Sequence, residues 1–154
     1  MTLPGDKPAR PPSSVLFCCS WNAIRSPMAA AILRRDHGAR LFVDSVGVRA
    51  QEVDGFAVAA MAEIGLDIAG HQAKAFEDLV DTSFDLVISL SPEAQHSAVE
   101  LTRTMDCDVE FWPVLDPTVV EGDREARLAA FRAVRDHLLS RIRERFPPTP
   151  SGQV

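Results

Sequence analysis

Two short runs of this chain, Ser14–Cys19 (SVLFCC) and Phe84–Leu90 (FDLVISL), are apolar almost throughout. Neither alternates like a strand with one wet face, and a continuous apolar run of this length fits a strand buried on both faces, as in a parallel sheet. Helical patterns separate the runs. Ser26-Pro27 offers a serine N-cap with proline at the first helical position, and Met28, Ile32 and Leu33 follow at helical spacing, with Gly38 as a stop. Arg40–Val46 (RLFVDSV) reads as another strand, and Asp54–Ile64 as a helix capped by Asp54 and stopped by Gly65. After Phe84–Leu90, Ser91-Pro92 repeats the cap-and-proline signal and opens a helix to about Arg103. Cys107–Phe111 reads as a short fourth strand. Asp123–Phe146 reads as a long final helix with Leu128, Phe131, Leu138 and Ile142 on one face, ended by Pro147 and Pro148. Strands alternating with helices, joined by right-handed crossovers, predict an α/β fold: a doubly wound, four-stranded parallel sheet with helices on both faces.

The length of 154 residues suits one such domain. We place it at residues 14–147, between a flexible proline-rich tail (1–13, with Pro4, Pro8, Pro11 and Pro12) and a flexible tail at 148–154. An apolar fraction of 46% and a charged fraction of 25% are those of a globular protein. The net charge of -6 argues against a duplex nucleic-acid partner, which needs a basic stripe to replace counterions. The arginines of the final helix alternate with acids and read as a solvated face. No apolar run approaches the roughly 20 residues of a membrane span, and the first residues lack the hydrophobic block of a secretory signal, so a cytoplasmic protein with no membrane partner is expected. The three cysteines, Cys18, Cys19 and Cys107, form no disulfide framework, and with the scattered His37, His71, His96 and His137 they give no zinc spacing. Neither a metal nor another cofactor is expected.

The chemistry concentrates after the first strand, in Cys19-Ser20-Trp21-Asn22-Ala23-Ile24-Arg25-Ser26. In an open α/β sheet, sites form beyond the carboxyl ends of the strands. A loop running from a strand end into a helix N-terminus turns its N–H groups inward and, with the helix dipole, makes an anion site. A thiol at its start lies in a field that favours the thiolate. An arginine at its end presents a planar fork to two phosphate oxygens. Nucleophile, amide cradle and guanidinium together are the parts that phosphoryl transfer through a covalent cysteine intermediate requires. Asp116-Pro117, in the loop after the fourth strand, can reach the same end of the sheet. One carboxyl there could protonate the departing oxygen and later take a proton from water, or could simply turn the chain.

Val15-Leu16-Phe17-Cys18-Cys19, Asn22 and Arg25-Ser26-Pro27-Met28-Ala29 resemble the signature of the low-molecular-weight protein tyrosine phosphatases, which the thioredoxin-type arsenate reductases share. The resemblance runs from about Ser14 to Phe146 and takes in Asp44-Ser45 with Gly47, Gly70-His71 and Asp116-Pro117. It implies a flavodoxin-like sandwich with the phosphatase loop after the first strand. It implies catalytic roles for Cys19 (nucleophile), Arg25 (phosphate clamp) and Asp116 (general acid), and phosphate binding by the loop Ser20, Trp21, Asn22, Ala23, Ile24, Arg25 and Ser26. Ser26 would hydrogen-bond the thiolate, Asn22 would hold the loop through Ser45, and His71 would stand behind them. The implied partner is a phosphorylated protein, phosphotyrosine above all, or a small phosphomonoester, with inorganic phosphate and other oxyanions as ligands.

Departures from the pattern are informative. Trp21 stands where the family has glycine, so either the loop is remodelled or the indole lines the mouth. Ile24 replaces a second cysteine found in many members, Ala23 an isoleucine or threonine, and Thr118 and Val119 the tyrosines after Asp-Pro. Side chains alternate along a strand, so Cys18 should face away from Cys19 and belong to the core, and Cys107 should lie at the far end of the sheet. Besides a phosphatase, the sequence admits an arsenate reductase-like enzyme and a catalytically weak oxyanion-binding module.

Overall fold

The computed structural model describes residues 11–80 and 83–148, so positions 1–10 and 149–154 of the two expected tails lie outside the described residues. Four strands, β1 (Ser14–Cys19), β2 (Phe42–Gly47), β3 (Leu86–Ser89) and β4 (Asp108–Phe111), pair in parallel in the order β2-β1-β3-β4. The helices are α1 (Arg25–His37), α2 (Gly55–Ala62), α3 (Pro92–Leu101) and α4 (Arg124–Arg145). The doubly wound sheet expected from the apolar runs is the fold observed.

β1 is central, and all six of its residues are buried. Its alternation builds two cores. Val15, Phe17 and Cys19 face α1, α2 and α4, with Met28, Ile32, Ala57, Phe131 and Leu138. Leu16 and Cys18 face α3, with Val87, Ala94 and Ala98. In register, Cys19 lies opposite Gly47, Cys18 opposite Ser89, and Ser89 opposite Phe111. The carboxyl ends of all four strands therefore open on one side, where a site can form.

Three caps follow the sequence: Asp54 accepts from the Phe56 amide, Ser91 from Ala94 and Asp123 from Ala126. Gly65 takes a positive φ of 79° after α2, as a helix stop requires. Ser26 does not cap. α1 begins a residue earlier, at Arg25, with Ile24 in the cap position and no side-chain cap bond. The loop's own turn starts the helix, which frees the Ser26 hydroxyl for another partner. β2 starts at Phe42 rather than Arg40 and β3 at Leu86 rather than Phe84, because ladder pairing begins only where neighbouring strands overlap.

The face of α4 assigned to solvent is not wholly solvated. Arg135 is buried, donating to the Ala60 carbonyl at 2.8 Å and to Glu63 at 2.7 Å, and Arg132 meets Glu63 at 2.7 Å. Hydrogen bonds from Arg132 and then Arg135 hold the Glu63 carboxyl down at about 2. These pairs fasten α4 to the end of α2, a tertiary contact that charge alternation along one helix cannot reveal. No helix among the described residues is long and apolar enough to cross a membrane.

Phe17 is fully buried and meets Trp112 edge-on, with ring centroids 6.1 Å apart. Phe17→Ala should destabilise the fold by about 3–5 kcal/mol. Chemical denaturation measures this, and a loss under about 1 kcal/mol would mean that the core does not depend on this packing.

Candidate active site

β1 ends at Cys19 and α1 begins at Arg25, so the intervening residues must turn within one short loop. The loop's carbonyls face outward and are all engaged. Cys19 O accepts from the Val48 amide (3.0 Å), Ser20 O from Arg49 (2.9 Å), Trp21 O from Gln51 (3.0 Å) and Ala23 O from Asp54 (3.0 Å). Asn22 O accepts from His71 Nε2 (3.0 Å), and Ile24 O takes the Met28 amide as the first helical bond (3.1 Å). With the carbonyls tied to this outer strap, the amide N–H groups turn inward above the start of α1, an arrangement that suits an anion.

Asn22 sets the curvature. It is the one non-glycine residue with positive φ among the described residues, at 52°, and is fully buried. Asparagine tolerates this left-handed region better than most residues. Its side chain is bound at both ends: Nδ2 donates to Ser26 Oγ (2.8 Å) and Ser45 Oγ (3.0 Å), while Oδ1 accepts from the Lys74 amide (2.9 Å) and His71 Nε2 (3.1 Å). The left-handed angle thus falls at Asn22 and not at Trp21, where a glycine would have suggested it, so the indole needs no strained backbone. Gly47 makes room for this turn. A Cβ there would collide with the Arg49 carbonyl and come within 2.6 Å of the Asn22 amide nitrogen.

Cys19 Sγ lies 2.9 Å from Ser26 Oγ. The hydroxyl also accepts from Asn22 and faces the Val46 carbonyl at 3.3 Å. Its single proton therefore has two destinations. A neutral thiol can donate to Ser26, which then donates to Val46, whereas a thiolate receives the hydroxyl proton itself. Arg25 is only 7% exposed, and its Nη1 donates to the Val114 carbonyl at 2.9 Å. Val114 leads into the segment carrying Asp116. Both bonds to Asp116, from the Thr118 amide (2.9 Å) and hydroxyl (2.7 Å), fall on Oδ1.

These groups share one cavity of about 330 Å³. Cys19, Trp21, Ala23, Ile24 and Arg25 line it from the loop, and Asp116 with Thr118 from the segment after β4. Ser20 turns away, donating to Ser91 Oγ at 3.1 Å. Ser26, Asn22, Ser45 and His71 lie behind the loop rather than in the cavity. Gln51, Glu52 and Asp54 also line it, although nothing in the local sequence marks Gln51 or Glu52 and Asp54 carries only the signal of a cap. Their signal was topological: the segment that follows β2 emerges at the same sheet edge as the loop.

The other thiols are elsewhere. Cys18 is fully buried on the α3 face, and burial first, then the neighbouring Cys19, pushes its thiol well above the usual range. Cys107 just precedes Asp108, which pairs with Leu86, itself opposite Val15. It therefore sits at the amino end of the sheet, away from Cys19, and burial first, then Asp108 and Asp106, raises its thiol. No disulfide joins any of them.

The family model described as low molecular weight phosphotyrosine protein phosphatase matches residues 14–146. An arsenate reductase of Bacillus licheniformis is 32% identical over 136 residues, covering 88% of this chain and 96% of that one. Among solved structures, an arsenate reductase in its oxidized state superposes with a TM-score of 0.69 at 28% identity, over 86% of this chain and 95% of that one. An arginine phosphatase from Geobacillus stearothermophilus has the same fold, with a TM-score of 0.67 at 24% identity, over 84% and 87% of the two chains.

His71 connects this geometry to pH. Burial first, then Arg34 and Lys74, lowers its pKa below the usual 6.5, against the opposing pull of the Asn22 bond and Asp44. A group depressed on folding contributes stability that is complete above its unfolded pKa and is lost as pH falls through the folded one. The melting temperature should therefore drop as the solution is acidified below about pH 6.5, the ordinary imidazole value. His71→Gln, which keeps a donor for Asn22, should flatten that part of the profile. Parallel profiles for the two proteins would show that His71 does not carry the effect.

Proposed function

Because the chain belongs to the low molecular weight phosphotyrosine protein phosphatase family, we propose that it hydrolyses phosphate monoesters, protein phosphotyrosine among them, through a phosphocysteine intermediate on Cys19. The observation that carries this reading is the shared cavity. A thiol with a hydroxyl partner at 2.9 Å lines the same cavity as a buried arginine and a carboxyl.

In this mechanism the loop amides and Arg25 take the non-bridging oxygens of the phosphate, where charge accumulates in the transition state. The Cys19 thiolate attacks phosphorus in line with the ester oxygen. The P–O bond breaks as Asp116 gives its proton to the departing alkoxide or phenoxide. Thr118 occupies Oδ1 of that carboxyl, so the other oxygen is the one available to hold the proton. Asp116, now ionised, takes a proton from water, whose oxygen attacks the phosphocysteine. The P–S bond breaks, and Ser26 donates to the departing thiolate. Inorganic phosphate leaves, and the enzyme returns to its starting state.

Curated relatives named arsenate reductases support a second use of the same cavity, for an arsenate oxyanion. An internal disulfide relay does not fit this chain. Ser91, not cysteine, follows β3; Ile24 occupies the other nearby position; Cys18 is adjacent in sequence, where a bridge is badly strained; and Cys107 is at the opposite end of the sheet. Arsenate incubated with thioredoxin, its reductase and NADPH should give no Cys19–Cys107 linkage by mass spectrometry. Sustained turnover abolished by Cys107→Ser would overturn this.

The phosphatase reading is tested on the residues themselves. Cys19→Ser should abolish turnover and still bind phosphate, while Cys18→Ser should keep most activity. Asp116→Asn should slow alkyl phosphates by about 10²–10⁴-fold and nitrophenyl phosphate much less, because only a poor leaving group needs the proton. Equal losses on both substrates would restrict Asp116 to shaping its loop.

A further inference from the structure

We infer that Trp21, braced by Arg49 and Glu93, is a specificity-determining residue that forms a stacking wall for the flat ring of an aryl phosphate, an inference that rests on the phosphatase function proposed above. Trp21 is the sole aromatic side chain among the described residues that line the cavity. It is 43% exposed, which is unusual for so large an apolar surface unless something is meant to cover it. Its carbonyl is fixed by the Gln51 amide, so the indole leaves the loop from a held backbone.

The indole is also held from outside. The Arg49 guanidinium lies 5.2 Å from the ring centroid, within the range of a cation–π contact. Arg49 Nη1 in turn meets Glu93 Oε2, at the start of α3, at 3.0 Å. Neither Arg49 nor Glu93 is among the described residues lining the cavity, so the guanidinium braces the ring away from it. Glu93 neutralises that charge, and the cavity receives a positioned, uncharged aromatic surface. A ring already held in place loses little freedom when a second ring stacks on it.

The remaining lining agrees with this occupant. Ala23 and Ile24 are apolar, and Glu52, Asp54 and Asp116 are carboxyls. Gln51 and Thr118 complete the lining beside Cys19 and Arg25. A phosphate seated on the loop would carry a leaving group past an indole and apolar side chains, while the carboxyls repel further negative charge. A planar, uncharged aryl group can stack on the indole, whereas a second phosphate would face the carboxyls.

The test compares phenyl phosphate with a fluoroalkyl phosphate whose alcohol is about as acidic as phenol, so that leaving-group chemistry is matched. In the wild type, kcat/KM should favour the phenyl ester. Trp21→Ala should reduce that preference by about fivefold to tenfold, mainly through KM, as expected for losing one aromatic pair. Trp21→Phe should restore most of it, and Arg49→Gln, which leaves the lining intact, should reduce it by about twofold. Should Trp21→Ala fail to fold, Trp21→Leu decides by the same ratio. A preference unchanged in the Ala or Leu variant overturns the inference and leaves the phosphatase function standing. Absence of turnover of both esters by the wild type overturns the phosphatase function instead. Calorimetry then decides for Trp21: phenylphosphonate should bind more tightly than methylphosphonate, and equal affinities would overturn the stacking wall.

Discussion

The site depends on one buried asparagine held in a left-handed backbone angle. Without that angle at Asn22, the chain leaving β1 could not curl back to meet the start of α1. The conformation has a cost of its own, of order 1–3 kcal/mol for a non-glycine residue outside the common regions, and persists because neighbours over-determine it. Four side-chain hydrogen bonds do so, from three separate parts of the chain: Ser26, Ser45, and the pair His71 and Lys74. Lys74 is anchored in turn by Asp44 at 2.6 Å, and its carbonyl accepts the Gly47 amide. The curvature of the loop is thus a property of the assembled fold and not of the loop sequence alone.

A second constraint links the two sides of the cavity. Arg25 donates to the carbonyl of Val114, two residues before Asp116, across 89 positions of sequence. The bond fixes the guanidinium plane and also sets the height at which the Asp116 segment leaves β4. A buried arginine with no partner would be costly. Here the tether satisfies one nitrogen through the protein, while the side chain still lines the cavity.

The sheet, its parallel order and the position of the Cys19–Arg25 loop were legible because they follow from apolar runs and from one short spacing. The caps at Asp54 and Ser91 were legible because each is a local bond. What escaped the sequence was set by tertiary contact. Ser26 carries the local signature of a cap that does not form; the family resemblance implied its contact with Cys19, but not those with Asn22 and Val46. Arg135 sits in a charged pattern that reads as solvated, yet it reaches the carbonyl of Ala60. Glu52 and Asp54 line the cavity because the segment after β2 straps the loop, a pairing with no periodicity to announce it. The separation of Cys18 from Cys19 was readable, since strand alternation requires it.

The order of the strands also bears on how the molecule comes into being. β1 is made first but lies inside the sheet, between β2 and β3. The cavity then needs Val114 and Asp116, made after all four strands, and the core on that face of β1 is complete only with α4. Such non-local pairing is slow to form compared with helical contacts. On the ribosome, a partial chain that has reached α3 already holds the thiol and the arginine but has neither Asp116 nor Phe131 and Leu138, which complete the core that Phe17 and Ile32 share. The cavity is therefore completed late in synthesis, once the segment carrying Val114 and Asp116 is in place, and until the final helix docks part of the apolar core beneath the sheet stays open.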